Sequence, residues 1–252
     1  MQTESRMPWE PDGNVVAGFA VSNLQGLLLQ AAKTERGVHV ETLMTMVGAL
    51  AGFAAQHAIW ETVVKTGRLP EHGGHNANAG AFVVAGTKSG DKYYFGDLLN
   101  SYLIPQNHPL GPGQLTLWGF LAAAVQESGG QPLGPQEVGE MFKNSAATMG
   151  GEQFGVPRLP AGHRPRWAPR EALNAFWPLA RQVLSRDDAP GAKGQRLSPG
   201  HWPTVIALVA QKLIKQSKGA LDPALSMRIV LEAAVPMSRV DPKTVPQELA
   251  QR

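Results

Sequence analysis

The stretch Glu71-His72-Gly73-Gly74-His75-Asn76 puts two imidazoles and a carboxylate within five residues of each other. Neutral imidazole is a good ligand for zinc, nickel and iron, and a carboxylate can complete an N/O coordination set. Upstream, His57 and Glu61 stand four residues apart, a spacing that places both on one face of a helix. A loop folded back over that helix end would gather His57, Glu61, His72 and His75 into one site for a divalent metal. No other cofactor is called for. The spacing matches no specific ligand signature, and His57 shares its helical stripe with Leu50, Phe53 and Ala54. The competing reading is a hydrogen-bonded helix histidine beside a solvated loop.

A second set of candidates is basic. Arg158, Arg164, Arg166 and Arg170 lie among prolines, interleaved with His163 and Trp167. They offer guanidinium forks for anionic groups, phosphate included, and one stacking surface. Lys212, Lys215 and Lys218 add positive charge along one later helix. This falls short of a defined nucleic-acid motif. The alternative favoured here is an extended, polyproline-like connector whose arginines pair with acidic groups elsewhere in the chain.

Other patterns fail on position. The turn Gly86-Thr87-Lys88-Ser89-Gly90-Asp91 lacks the glycine before Lys-Ser and the following helix that a phosphate-binding loop requires. Ser89 and Lys92 match SxxK, and Lys65-Thr66-Gly67 matches KTG, two patterns of penicillin-recognising serine enzymes. Their order is reversed, the SxxK spans a turn, and the KTG sits at a helix end. Asp91 and Asp97 flank Tyr93-Tyr94-Phe95 as a conceivable acid/base pair, but Asp97 is more simply expected to cap the helix beginning at Leu98. GxSxG, HExxH, GxGxxG and EF-hand patterns are absent from the sequence.

The elements that would position these residues are mostly helical. Residues 14–35 carry apolar side chains at helical spacing, with Asn14 as a cap and Gly37 as a stop. A second helix is expected over 38–66, ending at Gly67. Within it, Gly48, Ala51, Gly52 and Ala55 make a strip small enough for another helix to approach closely. Residues 81–85 and 92–95 read as a β-hairpin with positive φ at its glycine turn, resting on a helical surface because an isolated hairpin is only marginally stable. Six further helices are expected over 96–103, 114–127, 135–149, 169–185, 203–218 and from Asp222-Pro223 to Pro236, with 241–252 as a frayed or partner-bound tail. The fold class is therefore all-α, a bundle of about eight helices with one small β-hairpin inserted after the second.

Charge divides the chain. Residues 1–155 hold 8 Lys/Arg against 13 Asp/Glu, and residues 156–252 hold 15 against 7. The expected organisation is an acidic helical part over 1–155, a Pro/Arg-rich connector over 156–170, and a basic helical part over 171–252 docked on the first. Cysteine is absent, so disulfides, thiolate metal sites and cysteine nucleophiles are excluded. The first residues lack a secretory pattern, and a cytoplasmic location is the default expectation. Residues 42–60 are uncharged over nineteen positions, long enough for a membrane span. Their Thr45, Gln56, His57 and flanking glutamates favour a buried helix instead. For function, the leading expectation is a soluble, non-catalytic protein that binds a protein partner or small-molecule ligand, as a homo-oligomer or alone, with no membrane. The alternatives are a metal-dependent enzyme using the 71–76 loop with His57 and Glu61, and an anion- or nucleic-acid-binding protein acting through the basic C-terminal part.

Overall fold

A computed structural model describes residues 14–67, 82–106, 108, 110–188 and 194–249. The chain forms eight α-helices among these residues: α1 (Asn14–Ala31), α2 (Val40–Ile59), α3 (Asp97–Leu103), α4 (Leu117–Glu127), α5 (Pro135–Ala147), α6 (Pro169–Leu184), α7 (Trp202–Ser217) and α8 (Pro223–Met237). Two antiparallel hairpins complete it: β1 (Lys33–Thr34) with β2 (Gly37–Val38), and β3 (Val83–Gly86) with β4 (Lys92–Phe95). The all-α bundle with a small hairpin after the second helix is the observed architecture.

Helix α2 is its axis. Its sequence is apolar on every side after Glu41, so it must be enclosed, and α1, α3, α6, α7 and α8 pack around it. Its length and composition would suit a membrane span, yet 94% of its most apolar window is buried within the fold. The closest approach is with α8. A Cβ added at Gly48 would lie 2.3 Å from the Val230 carbonyl oxygen, and one at Gly52 would lie 2.0 Å from that of Ala234. The small-residue strip thus serves a helix crossing in which backbone meets backbone. One apolar cluster runs through the molecule, from Leu24 and Leu28 of α1 to Ile229 and Val235 of α8.

Helix ends follow local chemistry. Asp222 accepts the Leu225 N–H at 2.9 Å ahead of Pro223, and Thr116 accepts that of Gly119 at 3.1 Å. Both α5 and α6 open with proline, and Glu137 and Glu171 reach back to the amides of Gly134 and Ala168. Several details depart from the sequence reading. Gly96, in extended conformation, precedes α3, and Asp97 is a first-turn residue with no side-chain cap bond. Helix α1 ends at Ala31, and Gly37, at φ 109°, serves the β1–β2 hairpin rather than a helix stop. Helix α8 continues through Pro236, which sits in the last turn, to Met237.

The β3–β4 hairpin turns at Gly90, φ 90°. It is anchored rather than merely resting. The Tyr94 N–H donates to the Arg239 carbonyl at 2.8 Å, and Tyr93 forms a bridge with Val240. Arg239 is buried between the rings of Phe95 and Phe142, 4.6 and 5.3 Å from their centroids. Burial pushes its guanidinium down to about 10, so it remains a cation at neutral pH. The segment after α8 is likewise fastened: Val245 is buried, and Arg170 of α6 donates to the Thr244 carbonyl at 3.0 Å.

Candidate functional site

His57 and Glu61 reach the wall of a cavity of about 560 Å³ at the C-terminal end of α2. Two helix irregularities frame it. Helix α2 passes into a π-helical turn over Trp60–Val64, where the Lys65 N–H donates to the Trp60 carbonyl at 3.0 Å. Such turns recur at functional sites. Across the cavity, Pro178 stands inside α6 and has no N–H for the Asn174 carbonyl. The wall also includes Lys65, Arg181 of α6, Trp202 at the start of α7, and Gln247 and Glu248 beyond α8.

The rings are ordered around His57. Its imidazole stacks on the Trp202 indole with centroids 5.0 Å apart and planes 16° from parallel. It meets the Trp177 indole edge-on at 5.3 Å. Burial among these rings, with Arg181 and Lys65 nearby, outweighs the attraction of Glu61 and lowers its pKa to about 4. At neutral pH His57 is therefore uncharged, with one ring nitrogen a donor and the other an acceptor. Trp177 donates its indole N–H to the Gln247 side-chain oxygen at 3.2 Å, and Arg181 donates to the Gln247 carbonyl at 2.9 Å. The Trp202 indole nitrogen is buried without a hydrogen-bond partner among the described residues. Glu61 is paired with Lys65 at 2.6 Å. Ser185 also borders the cavity, but its hydroxyl turns back to the Gln182 carbonyl at 3.4 Å.

The other candidates are placed differently. His72 and His75, with the whole of 71–76, lie outside the described residues. Among the described residues, no group of three or more His, Asp or Glu side chains is arranged to hold a metal ion. Three of the four arginines engage separate parts of the fold. Arg158 donates to the Glu140 carbonyl at 3.1 Å and stands 3.5 Å from the buried Glu232. Through its backbone N–H, Arg166 donates to the Thr42 hydroxyl, while its side chain borders a shallow surface hollow with Arg36. Arg164 is exposed, and Arg170 holds Thr244.

Sequence reasoning found His57 and Glu61 but passed over Trp177, Trp202, Arg181 and Gln247. These come from three separate stretches of chain: Trp177 and Arg181 share α6 at i, i+4, and no spacing rule links that pair to Trp202 or Gln247. Pro178 was the available signal, since a proline inside a strongly helical pattern breaks a local rule at some cost. Comparison with protein-family profiles, with curated proteins and with solved structures finds no match.

Proposed function

We propose that this is a helical protein that binds a small ligand, without covalent chemistry, in the cavity at the end of α2. The observation that carries the reading is the wall of His57 stacked on Trp202 at 5.0 Å beside Arg181. Aromatic faces with a few directed polar groups are the usual furnishing of ligand pockets, and the volume lies in their ordinary range. The chemistry suits a flat, largely apolar molecule bearing one acceptor group for the Arg181 guanidinium. A non-catalytic role is supported by the state of the polar groups. His57 is too weak a base at its depressed pKa to activate a nucleophile efficiently, Ser185 makes no hydrogen bond to it, and Glu61 is engaged by Lys65.

The test is an NMR titration of the full chain, following indole N–H signals, with indole-3-acetate and benzoate as probes. Signals of Trp177 and Trp202, assigned through Trp177→Phe and Trp202→Phe variants, should shift saturably at millimolar probe. Arg181→Gln should weaken binding about tenfold, the loss expected for one charge-assisted hydrogen bond. Indole signals that do not move would overturn the proposal. Zinc added in the same experiment addresses the metal alternative, which requires tight binding lost in His57→Phe.

A further inference from the structure

A second cavity, of about 300 Å³, opens at the N-terminal end of α6, between β4, the residues following α5, and the segment after α8. Its charged groups are Arg170 and Lys92 on one side of the balance, Asp91 and Asp241 on the other. Its apolar floor includes Tyr93 and Phe154, whose rings meet edge-on at 4.7 Å.

Arg170 is the group whose chemistry is incomplete. It is half-buried, and its hydrogen bonds run to neutral acceptors, the Thr244 carbonyl at 3.0 Å and the Thr244 hydroxyl at 2.5 Å. Both leave from Nη2, so Nε and Nη1 have no partner among the described residues. No carboxylate of the described residues comes within ion-pair distance of it. Burial disfavours its charge, and the Tyr93 hydroxyl, Asp241 and Asp91 favour it only from further away. The N–H groups left on Nε and Nη1 point in different directions, and either can donate a charge-assisted hydrogen bond to one carboxylate oxygen. Tyr93 adds a donor: its oxygen accepts the Gly150 N–H at 3.2 Å, which leaves the phenolic hydrogen for an incoming acceptor.

A simple anion would leave the lining's two acids facing it. The four charged side chains sum to zero, and a ligand that carries both signs can pair with each of them while keeping the site neutral. We propose that this cavity binds a small zwitterion, an α-amino acid with an apolar side chain. Its carboxylate lies on Arg170, its ammonium faces Asp241 and Asp91, and its side chain packs on Tyr93 and Phe154. The volume is at the small end of ligand sites, which suits a single amino acid and excludes larger cofactors. This site is separate from the His57 cavity and does not depend on the reading given for it.

The experiment titrates L-phenylalanine into the full chain and follows the backbone amides of Gly150, Gly151 and Tyr93. Saturable shifts at millimolar ligand are expected, with the Trp177 and Trp202 indole signals unmoved. Two analogues separate the charges: 3-phenylpropanoate lacks the ammonium and 2-phenylethylamine lacks the carboxylate. Each should bind at least tenfold more weakly than the amino acid. Asp241→Asn keeps the acceptor that Lys243 uses at the start of the following 3-10 turn, so the fold is preserved. It should weaken L-phenylalanine about tenfold and bind 3-phenylpropanoate no more weakly than the wild type does. Arg170→Gln, which removes the charge, should abolish the preference for a carboxylate. Absence of any shift at Gly150 and Gly151 would overturn the proposal. So would 3-phenylpropanoate binding as tightly as the amino acid, since that result describes an anion site.

Discussion

Protonating His57 in the folded protein means placing a cation against two indole rings and beside Arg181, whereas in the unfolded chain the same imidazole meets only water. Its pKa is 6.5 in the unfolded chain and about 4 in the fold. Above pH 6.5 both states are neutral and the contribution to stability is fully present. As pH falls from there, the unfolded chain takes up a proton that the native state refuses, so stability declines until the folded pKa near 4 and then levels off. The largest loss from this group is about 3 kcal/mol. Urea midpoints of the wild type should therefore drop between neutral pH and the folded pKa, and His57→Phe should flatten that part of the curve. A slope unchanged by the substitution would refute a neutral, ring-packed imidazole. The sequence placed His57 and Glu61 on one helix face because i, i+4 spacing is a property of a single element. That Trp177 and Trp202 would enclose the imidazole was not legible, because ring contacts between α2, α6 and α7 are set only when the helices cross.

Between elements, the α2–α8 crossing makes the sharpest demand. Substituting alanine at Gly48 or Gly52 drives a methyl group into the Val230 or Ala234 carbonyl, and backbone on both sides leaves no side chain to give way. Each should cost about 2–3 kcal/mol, the usual scale of overpacking in a core. Gly18 and Gly26 of α1 are the controls. A Cβ there meets nothing within 4 Å, so alanine should stabilise by about 0.5–1 kcal/mol through helix propensity and a stiffer unfolded chain. Denaturant midpoints of the four variants check both signs. If Gly48→Ala and Gly52→Ala are as mild as the α1 pair, the helices do not cross as closely as described. The strip itself was readable, since small residues one turn apart permit close approach wherever they occur, but its partner was not. Helix starts marked by proline, one of them preceded by aspartate, were read well because those signals act locally, whereas α2 and α4, which lack them, begin at Val40 and Leu117 rather than at 38 and 114. The π-helical turn at Trp60–Val64 and the fastening of residues 241–249 were missed. The first depends on how α2 meets its neighbours, and the second on the distant donors Arg170, Trp177 and Arg181.

At the level of the whole molecule, opposite charges on the two parts of the chain suggested electrostatic docking. Ion pairs do join the two parts, Arg228 with Glu137 and Lys215 with Glu127, while residues of α2 and its partner helices such as Phe53, Leu50, Val205 and Ile229 are inaccessible to solvent. Burial of nonpolar area does not depend on Coulomb attraction, while exposed charges are screened within about 10 Å at 0.1 M salt. The full chain should therefore unfold in one transition whose urea midpoint changes little between about 0.05 and 0.5 M sodium chloride. Two separate transitions, or a marked loss of stability at the higher concentration, would show that the basic part is held by charge after all.

The arrangement of α2 inside the bundle also sets a timetable during synthesis. Its tightest partner, α8, begins about 160 residues after α2 ends, a wait of roughly 10–30 s at ordinary rates of translation. Throughout that interval the ribosome presents an apolar segment of 25 residues, long enough to span a bilayer, with no α8 to cover its glycines. Until α8 emerges, only earlier elements such as α1 and α3 are there to cover it. The burden this protein places on its host therefore falls before the chain is complete.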